Sequence, residues 1–265
     1  MKTYWIILLL LLTAGCEQIN DVEIEIGHNE FIVVQGEVKN GFVFEGVSFT
    51  KTLPLGEPFD IQKAEIKNVE AFIVVNGLQV VPIHYVKDGI YKPYSNLLIR
   101  TGNTYELFAK IDGKAIYSKT KVPRRPEPRN ILYQNSYLSA NIMPAKDEVY
   151  GATWVIKGTT NNIISAAEDF FSITAPVNND LSTDVSIRTQ DVTQQYSNDF
   201  YRDLTYIKVY SFDKPYLEYF KSKDNNSSVS NIFTQGGGAV AWNVYGDNVI
   251  GLFIGVSESA TLQPE

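Results

Sequence analysis

The sequence predicts an all-β protein: an N-terminal immunoglobulin-like β-sandwich followed by a second β-rich domain with one short helix. Three observations carry this expectation. Short runs that alternate apolar and polar residues recur along the chain, and a half-buried strand has that period of two. Turn dipeptides such as Asn40-Gly41, Asn76-Gly77 and Asp112-Gly113 separate the runs, and tight hairpins favour such pairs because they accept positive φ. The composition holds 16 Tyr and 14 Phe against 2 Met, and aromatic side chains fit a pleated, half-buried surface.

The first domain is expected over residues 29–123. Phe31–Val38 reads as a buried strand that then alternates, and Phe42–Thr50 alternates after the Asn40-Gly41 turn. Pro54, Gly56 and Pro58 mark a loop. Val69, Ala71, Ile73 and Val75 share one strand face, and Leu78–Tyr85 is the hairpin partner across Asn76-Gly77. Lys87-Asp88-Gly89 turns into Ile90-Tyr91. Thr104–Ile111 puts Tyr105, Leu107 and Ala109 on one face, and Asp112-Gly113 leads into Lys114–Val122. About seven strands at this spacing fit an antiparallel immunoglobulin-like sandwich.

Pro123-Arg124-Arg125-Pro126-Glu127-Pro128 comes next, and proline has no N–H for a sheet ladder. Residues 124–130 are therefore read as a stiff proline-rich linker, and residues 131–265 as the C-terminal β-rich domain. In that domain Ile131–Ile142 alternates loosely, and Tyr150–Gly158 is a strand with Trp154 and Ile156 on one face. Ile164–Phe171 is either a short helix or a loop with two exposed aromatics. Leu204–Phe212 alternates strongly. Lys214–Lys223 reads as the helix: Pro215 suits its first turn, and Tyr216, Leu217 and Phe220 form an apolar stripe. Val249–Val256 is a final buried strand.

The N-terminus has a different grammar. Lys2, the apolar stretch Tyr4–Leu12 and the small residues Thr13-Ala14-Gly15 read as a signal peptide over residues 1–15. The apolar run is well short of the roughly 20 residues that a spanning helix needs. Cys16 follows at once and is the only cysteine in the chain. Leu12-Thr13-Ala14-Gly15-Cys16 resembles the bacterial lipobox, with Thr13 where that motif usually carries Leu. A lone thiol forms no intrachain disulfide, and acylation would remove its reactivity in an oxidising compartment. Cys16 is the expected lipidation site, and acyl burial at about 0.8 kcal/mol per CH₂ would give stable anchoring. Residues 16–28 are expected to be a lipidated acidic tether, with Glu17, Asp21, Glu23 and Glu25.

The formal net charge of −7 argues against nucleic acid, which needs a basic face, and against electrostatic binding to bilayers. Membrane contact is expected through the N-terminal lipid alone. Two His and one Cys leave little material for a zinc or haem site, and no cofactor is expected. His28 ends the tether, and His84 sits between Ile83 and Tyr85 on an alternating strand, where a lone His is ordinarily a surface or satisfied residue. No nucleophile elbow, metalloprotease helix or phosphate loop occurs, and Gly236-Gly237-Gly238 lacks the Lys and Ser/Thr of the last. Glu168-Asp169 and Asp147-Glu148 are adjacent carboxylates, whereas glycosidases hold theirs about 5–10 Å apart across a rigid cleft. Asp180, Asp184 and Asp191 share a polar stretch without EF-hand spacing. No catalytic or metal-binding residue is expected. Phe170, Phe171, Tyr196, Phe200, Tyr201 and Trp242 suit a contact surface, but hairpin and core packing explains them more simply, so no ligand residue is assigned.

The order of these features resembles the DUF4249 lipoproteins of Bacteroidetes. Ile32–Val38 looks like that family's opening strand, Val69–Gly77 like its next strand and turn, and Thr101–Leu107 like its G-x-x-Y-x-L segment. Lys114–Val122 running into Pro123, Tyr206–Phe220, Asn231 and Gly251-Leu252-Phe253 are similar to its later segments. Asn178–Tyr201 departs, being short and polar. The resemblance implies a lipid-anchored outer-membrane protein on the periplasmic or cell-surface face, acting beside a TonB-dependent outer-membrane receptor. It carries over no functional residue. A surface adhesin or structural lipoprotein that binds glycans or proteins is the alternative reading.

Overall fold

Asn76 and Gly77 adopt φ of 53° and 69°, the paired positive values of a type I′ turn, and join strands β3 (Glu70–Val75) and β4 (Gln79–Lys87). Asp88-Gly89 does the same between β4 and β5 (Ile90–Pro93), and Asp112-Gly113 between β6 (Thr104–Ile111) and β7 (Lys114–Lys121). The structure, a computed structural model, describes residues 29–264 apart from 55, 198 and 228–239, without the side chains of 199 and 224–227. The expected signal peptide, Cys16, the tether with His28, and Gly236–Gly238 lie outside the described residues.

The fold is all-β and sandwich-like, as the alternation predicts. The first half adds β1 (Ile32–Lys39) and β2 (Val47–Lys51) to these strands. The second half supplies β8 (Pro128–Gln134), β9 (Tyr137–Ile142), β10 (Glu148–Lys157), β11 (Ile163–Ala166), β12 (Val185–Arg188), β13 (Thr205–Asp213), β14 (Val244–Tyr245) and β15 (Val249–Glu258). One large mixed sheet runs β11-β10-β13-β15-β1-β2-β5-β4-β3-β6-β7-β14, and a small one runs β12-β9-β8. Helices α1 (Ile61–Ala64) and α2 (Asp199–Arg202) are single turns, and α3 (Pro215–Ser227) is the expected helix.

Three cores follow from the alternation. Val34, Phe49, Ile73, Tyr105, Leu107 and Phe253 fill the first. Tyr150, Ala152, Trp154 and Ile156 on one face of β10 join Ile207 and Val209 of β13 and pack on the small sheet. The opposite face, with Val149 and Phe212, takes Leu217 and Phe220 of α3.

The structure revises several expectations. The last strand does not belong to the second half alone: β15 lies parallel to β1, from Ile32 opposite Val249 to Lys39 opposite Val256. Its Phe253 is buried in the first core and its Val256 in the third, so the chain does not divide cleanly at residue 130. A strand covered on both faces reads as a continuous apolar run, and that run does not reveal its partner. Residues 124–130 are not a free linker. Pro123 and Pro126 are buried, Thr101 and Ser257 donate to the Pro123 carbonyl, Ser211 donates to that of Arg124, and Pro128 already opens β8. The loose alternation of Ile131–Ile142 is that of a hairpin, turning at Asn135 and Ser136 with φ of 46° and 79°. The strand expected over Phe42–Thr50 begins only at Val47, after a loop ending at Gly46. Ile164–Phe171 resolves as the end of β11 followed by a loop in which Phe171 is exposed and Phe170 is packed.

An ion-pair cluster ties three strands on the outer face. Glu258 of β15 forms ion pairs with Lys39 Nζ of β1 at 2.9 Å and Lys208 Nζ of β13 at 2.8 Å. Burial pushes the Glu258 carboxyl up, but the hydrogen bonds and charges of Lys208 and Lys39 outweigh it and hold the group below its ordinary value. A lowered carboxylate stabilises the native state above its unfolded pKa and loses that contribution as pH falls towards the folded value. Glu258→Gln leaves two ammonium groups facing an amide, and partial exposure discounts the cost to about 1–2 kcal/mol. Urea midpoints of both proteins across the acid range should show the wild-type advantage shrinking below about pH 4.3. An advantage independent of pH would refute the assignment.

Candidate functional site

A broad surface concavity is built on the outer face of β1 and β2. The alternation that sends Val34 and Val38 into the first core sends Gln35 and Glu37 outward. The register lines up Leu252, Gln35, Ser48 and Ile90 in one row across β15, β1, β2 and β5. A trough of about 560 Å³ lies over one side of this row, bounded by Phe42, Val43 and Glu45. A second hollow of about 540 Å³ shares Gln35 and Ser48 and ends at Pro54, Phe59 and Ile61. Phe59 is 74% exposed and Phe42 48%, so apolar lips stand over a mixed floor in which Gln35 and Ser48 lie between Leu252 and Ile90. Lys39 Nζ sits 4.6 Å from the Phe42 ring centroid and joins the trough to the Glu258 cluster. There Lys208 is held above its ordinary value: burial opposes its charge, and Glu258 and Tyr210 outweigh that.

Among the described residues the lining contains no His or Cys. An amide, hydroxyls and charged side chains beside exposed rings can hold an extended polar ligand by hydrogen bonds and apolar contact. Single-sequence reading missed this site. Its signal was the polar set Gln35, Glu37 and Ser48 in strands otherwise apolar, but a polar outer face looks the same whether or not loops wall it into a trough.

A second surface is an aromatic ladder. Phe72, Phe108, Tyr117 and Tyr245 stand opposite one another across β3, β6, β7 and β14. The Phe72 and Phe108 rings are stacked at 5.3 Å with 15° between their planes. Rings packed face to face present edges to solvent, whereas a sugar stacks on a ring face. The ladder is cross-strand packing of the kind that stabilises sheets.

The six aromatic candidates do not form one site, although Tyr196, Phe200 and Tyr201 meet. Phe170 packs on Tyr210 and Phe212, Trp242 leans on Tyr219, and Tyr196 and Phe200 meet Tyr201 edge-on. Phe171 lies under the Arg188 guanidinium at 3.8 Å. His84 stacks on Tyr94 with centroids 3.8 Å apart, and its buried Nδ1 has no hydrogen-bond partner among the described residues.

The carboxylates are engaged locally. Asp180 accepts from Ser182 and Thr183, which hold it below its ordinary value, and Asp191 pairs with Arg188. Glu148 accepts from the Arg124 N–H and the Tyr150 hydroxyl, although burial still pushes its carboxyl up. Burial, then the Glu148 charge, pushes Tyr150 up to about 12. Asp169 pairs with Lys223 at 2.8 Å. Among the described residues no group of three or more His, Cys, Asp or Glu could hold a metal ion.

These features define an all-β, sandwich-like protein with an open trough on one sheet face. The family model described as "Domain of unknown function (DUF4249)" matches residues 19–261, and the chain belongs to that family. No curated protein matches it.

Proposed function

We propose that the protein is a non-catalytic, lipid-anchored outer-membrane protein of Bacteroidetes that serves a TonB-dependent transport system as an accessory or ligand-binding partner. The observation that carries this reading is the N-terminus: Lys2, the apolar Tyr4–Leu12, small residues, then Cys16 as the only cysteine. A signal-like segment of that kind exports the chain, and acylation of one thiol anchors it. Membership of the DUF4249 family agrees with the residues on which the lipoprotein resemblance rests. The trough over Gln35 and Ser48 gives the anchored body a surface for a ligand. The exposed Phe42 and Phe59 at its lips favour the second reading, a surface lipoprotein that binds glycans or proteins as an adhesin.

Cys16→Ala should move the protein from the membrane pellet to the soluble fraction after cell lysis. Continued retention in the pellet would overturn the anchor. Purification of the acylated wild type in mild detergent should bring down a transporter; a chain that always purifies alone with its lipid intact favours the adhesin reading.

A further inference from the structure

We infer that the free edge of β8 takes up an extended polypeptide segment bearing a carboxylate, as an added strand. This goes beyond the proposed function and does not depend on Cys16. Among the described residues β8 ends the small sheet, and β9 is the only strand paired with it. An open edge offers alternating N–H and C=O groups at strand spacing, a pattern that another polypeptide backbone matches and a sugar does not.

The two halves of β8 differ. Its beginning is protected in the usual ways, by Pro128 and by a register break at Asn130, where φ is 51°. Its end is not. Leu132, Tyr133 and Gln134 pair regularly with Ser139, Leu138 and Tyr137, carry no charge, and leave Leu132 42% exposed. A pocket of about 480 Å³ lies along these three residues, closed by Arg202, Asp203, Gln263 and Pro264.

Two polar groups in the pocket have no ion-pair or hydrogen-bond partner among the described residues. Arg202 makes no ion pair among the described residues, and its guanidinium carbon lies 5.6 Å from the Tyr133 ring centroid. The Tyr133 hydroxyl is buried with no hydrogen-bond partner among the described residues. A guanidinium fork matches the carboxylate at the C-terminus of the added segment. At the other end of this sheet the Arg188 guanidinium is already engaged, over Tyr137 at 4.1 Å and Phe171 at 3.8 Å and paired with Asp191.

The test uses the full chain in detergent and two fluorescein-labelled octapeptides of alternating Thr and Val, one ending in a free carboxylate and one in an amide. Fluorescence anisotropy should give the carboxylate probe about tenfold tighter binding, the size of one charge-assisted contact. Hydrogen exchange should slow at residues 131–134. Arg202→Ala should erase the difference between the probes, and Leu132→Lys should remove binding of both, with unfolding midpoints unchanged. Absence of binding, protection confined to the trough strands, or indifference to Arg202→Ala would each overturn the inference. None of these results bears on the membrane anchor, so its failure stays distinguishable from failure of the proposed function.

Discussion

Gly251→Ala is expected to destabilise the protein by more than about 4 kcal/mol, a large fraction of the roughly 5–15 kcal/mol of an ordinary domain. Gly251 has φ of 139° and stands opposite Val34 in the parallel β1–β15 ladder. A Cβ there would lie 1.9 Å from the Val34 carbonyl oxygen and 2.7 Å from its carbon. Both are backbone atoms, so no rotamer relieves the clash. β1 cannot retreat, because β2 pairs with its other edge from Ile32 to Gly36. β15 would have to withdraw, taking ladder hydrogen bonds and the buried Phe253 with it. A buried Phe alone is worth about 1.5–3 kcal/mol. Gly113→Ala is the control: φ is 82° in a hairpin with open space around it, so only backbone strain of about 1 kcal/mol applies. Thermal and urea unfolding followed by circular dichroism separates the two. A Gly251→Ala midpoint near wild type would mean that β15 does not lie beside β1.

Gly251 also marks where the sequence stops being readable. Hairpins at Asn76-Gly77, Asp88-Gly89 and Asp112-Gly113 were legible because the turn dipeptide itself requires positive φ. Helix α3 was legible because Pro215, Tyr216, Leu217 and Phe220 are local signals. The pairing of β15 with β1 was not, because its register depends on residues more than 200 positions apart. Gly251 and Gly255 flank Phe253 on one face, and each allows a backbone to approach: Val34 at the first and Lys121 at the second. Glycine pairs inside an apolar strand signal close approach, but not to what. The proline segment misled for a related reason. Proline ends a ladder, yet Pro123 offers a carbonyl that Thr101 and Ser257 can both reach, which fixes the segment in place. The β8 edge was beyond local reading, since its pocket is closed by Arg202, Asp203, Gln263 and Pro264 from distant sequence, and the trough was missed because a polar outer face does not show whether the loops next to it wall it in.

Asp213→Ala is the second large expected effect, about 2–4 kcal/mol, because Asp213 ties the two halves at that seam. Its Oδ2 accepts from the Thr120 hydroxyl at 2.9 Å and the Lys121 N–H at 2.8 Å, both on β7. Its Oδ1 accepts from the Lys214 N–H at 2.9 Å. Thr120 in turn accepts from the Gly255 N–H of β15, so one carboxylate organises the ends of β7, β13 and β15. Alanine leaves three donors without their acceptor. Asn keeps one oxygen but turns an amide N–H₂ towards a donor, so Asp213→Asn should fall between alanine and wild type. The pH dependence runs opposite to that of Glu258. Burial pushes the Asp213 carboxyl above its ordinary value, against the hydrogen bonds from Lys121, Thr120 and Lys214. The native state therefore binds the proton more tightly than the unfolded chain, and stability falls as pH rises from the ordinary Asp value to the folded one. The wild-type advantage over Asp213→Asn should be greatest below about pH 4, narrow through that interval, and stay constant above it. Urea midpoints of the two proteins at matched pH values measure this directly. An advantage that grows as pH rises would show that the three hydrogen bonds outweigh burial, and that the charged form is the one the seam prefers.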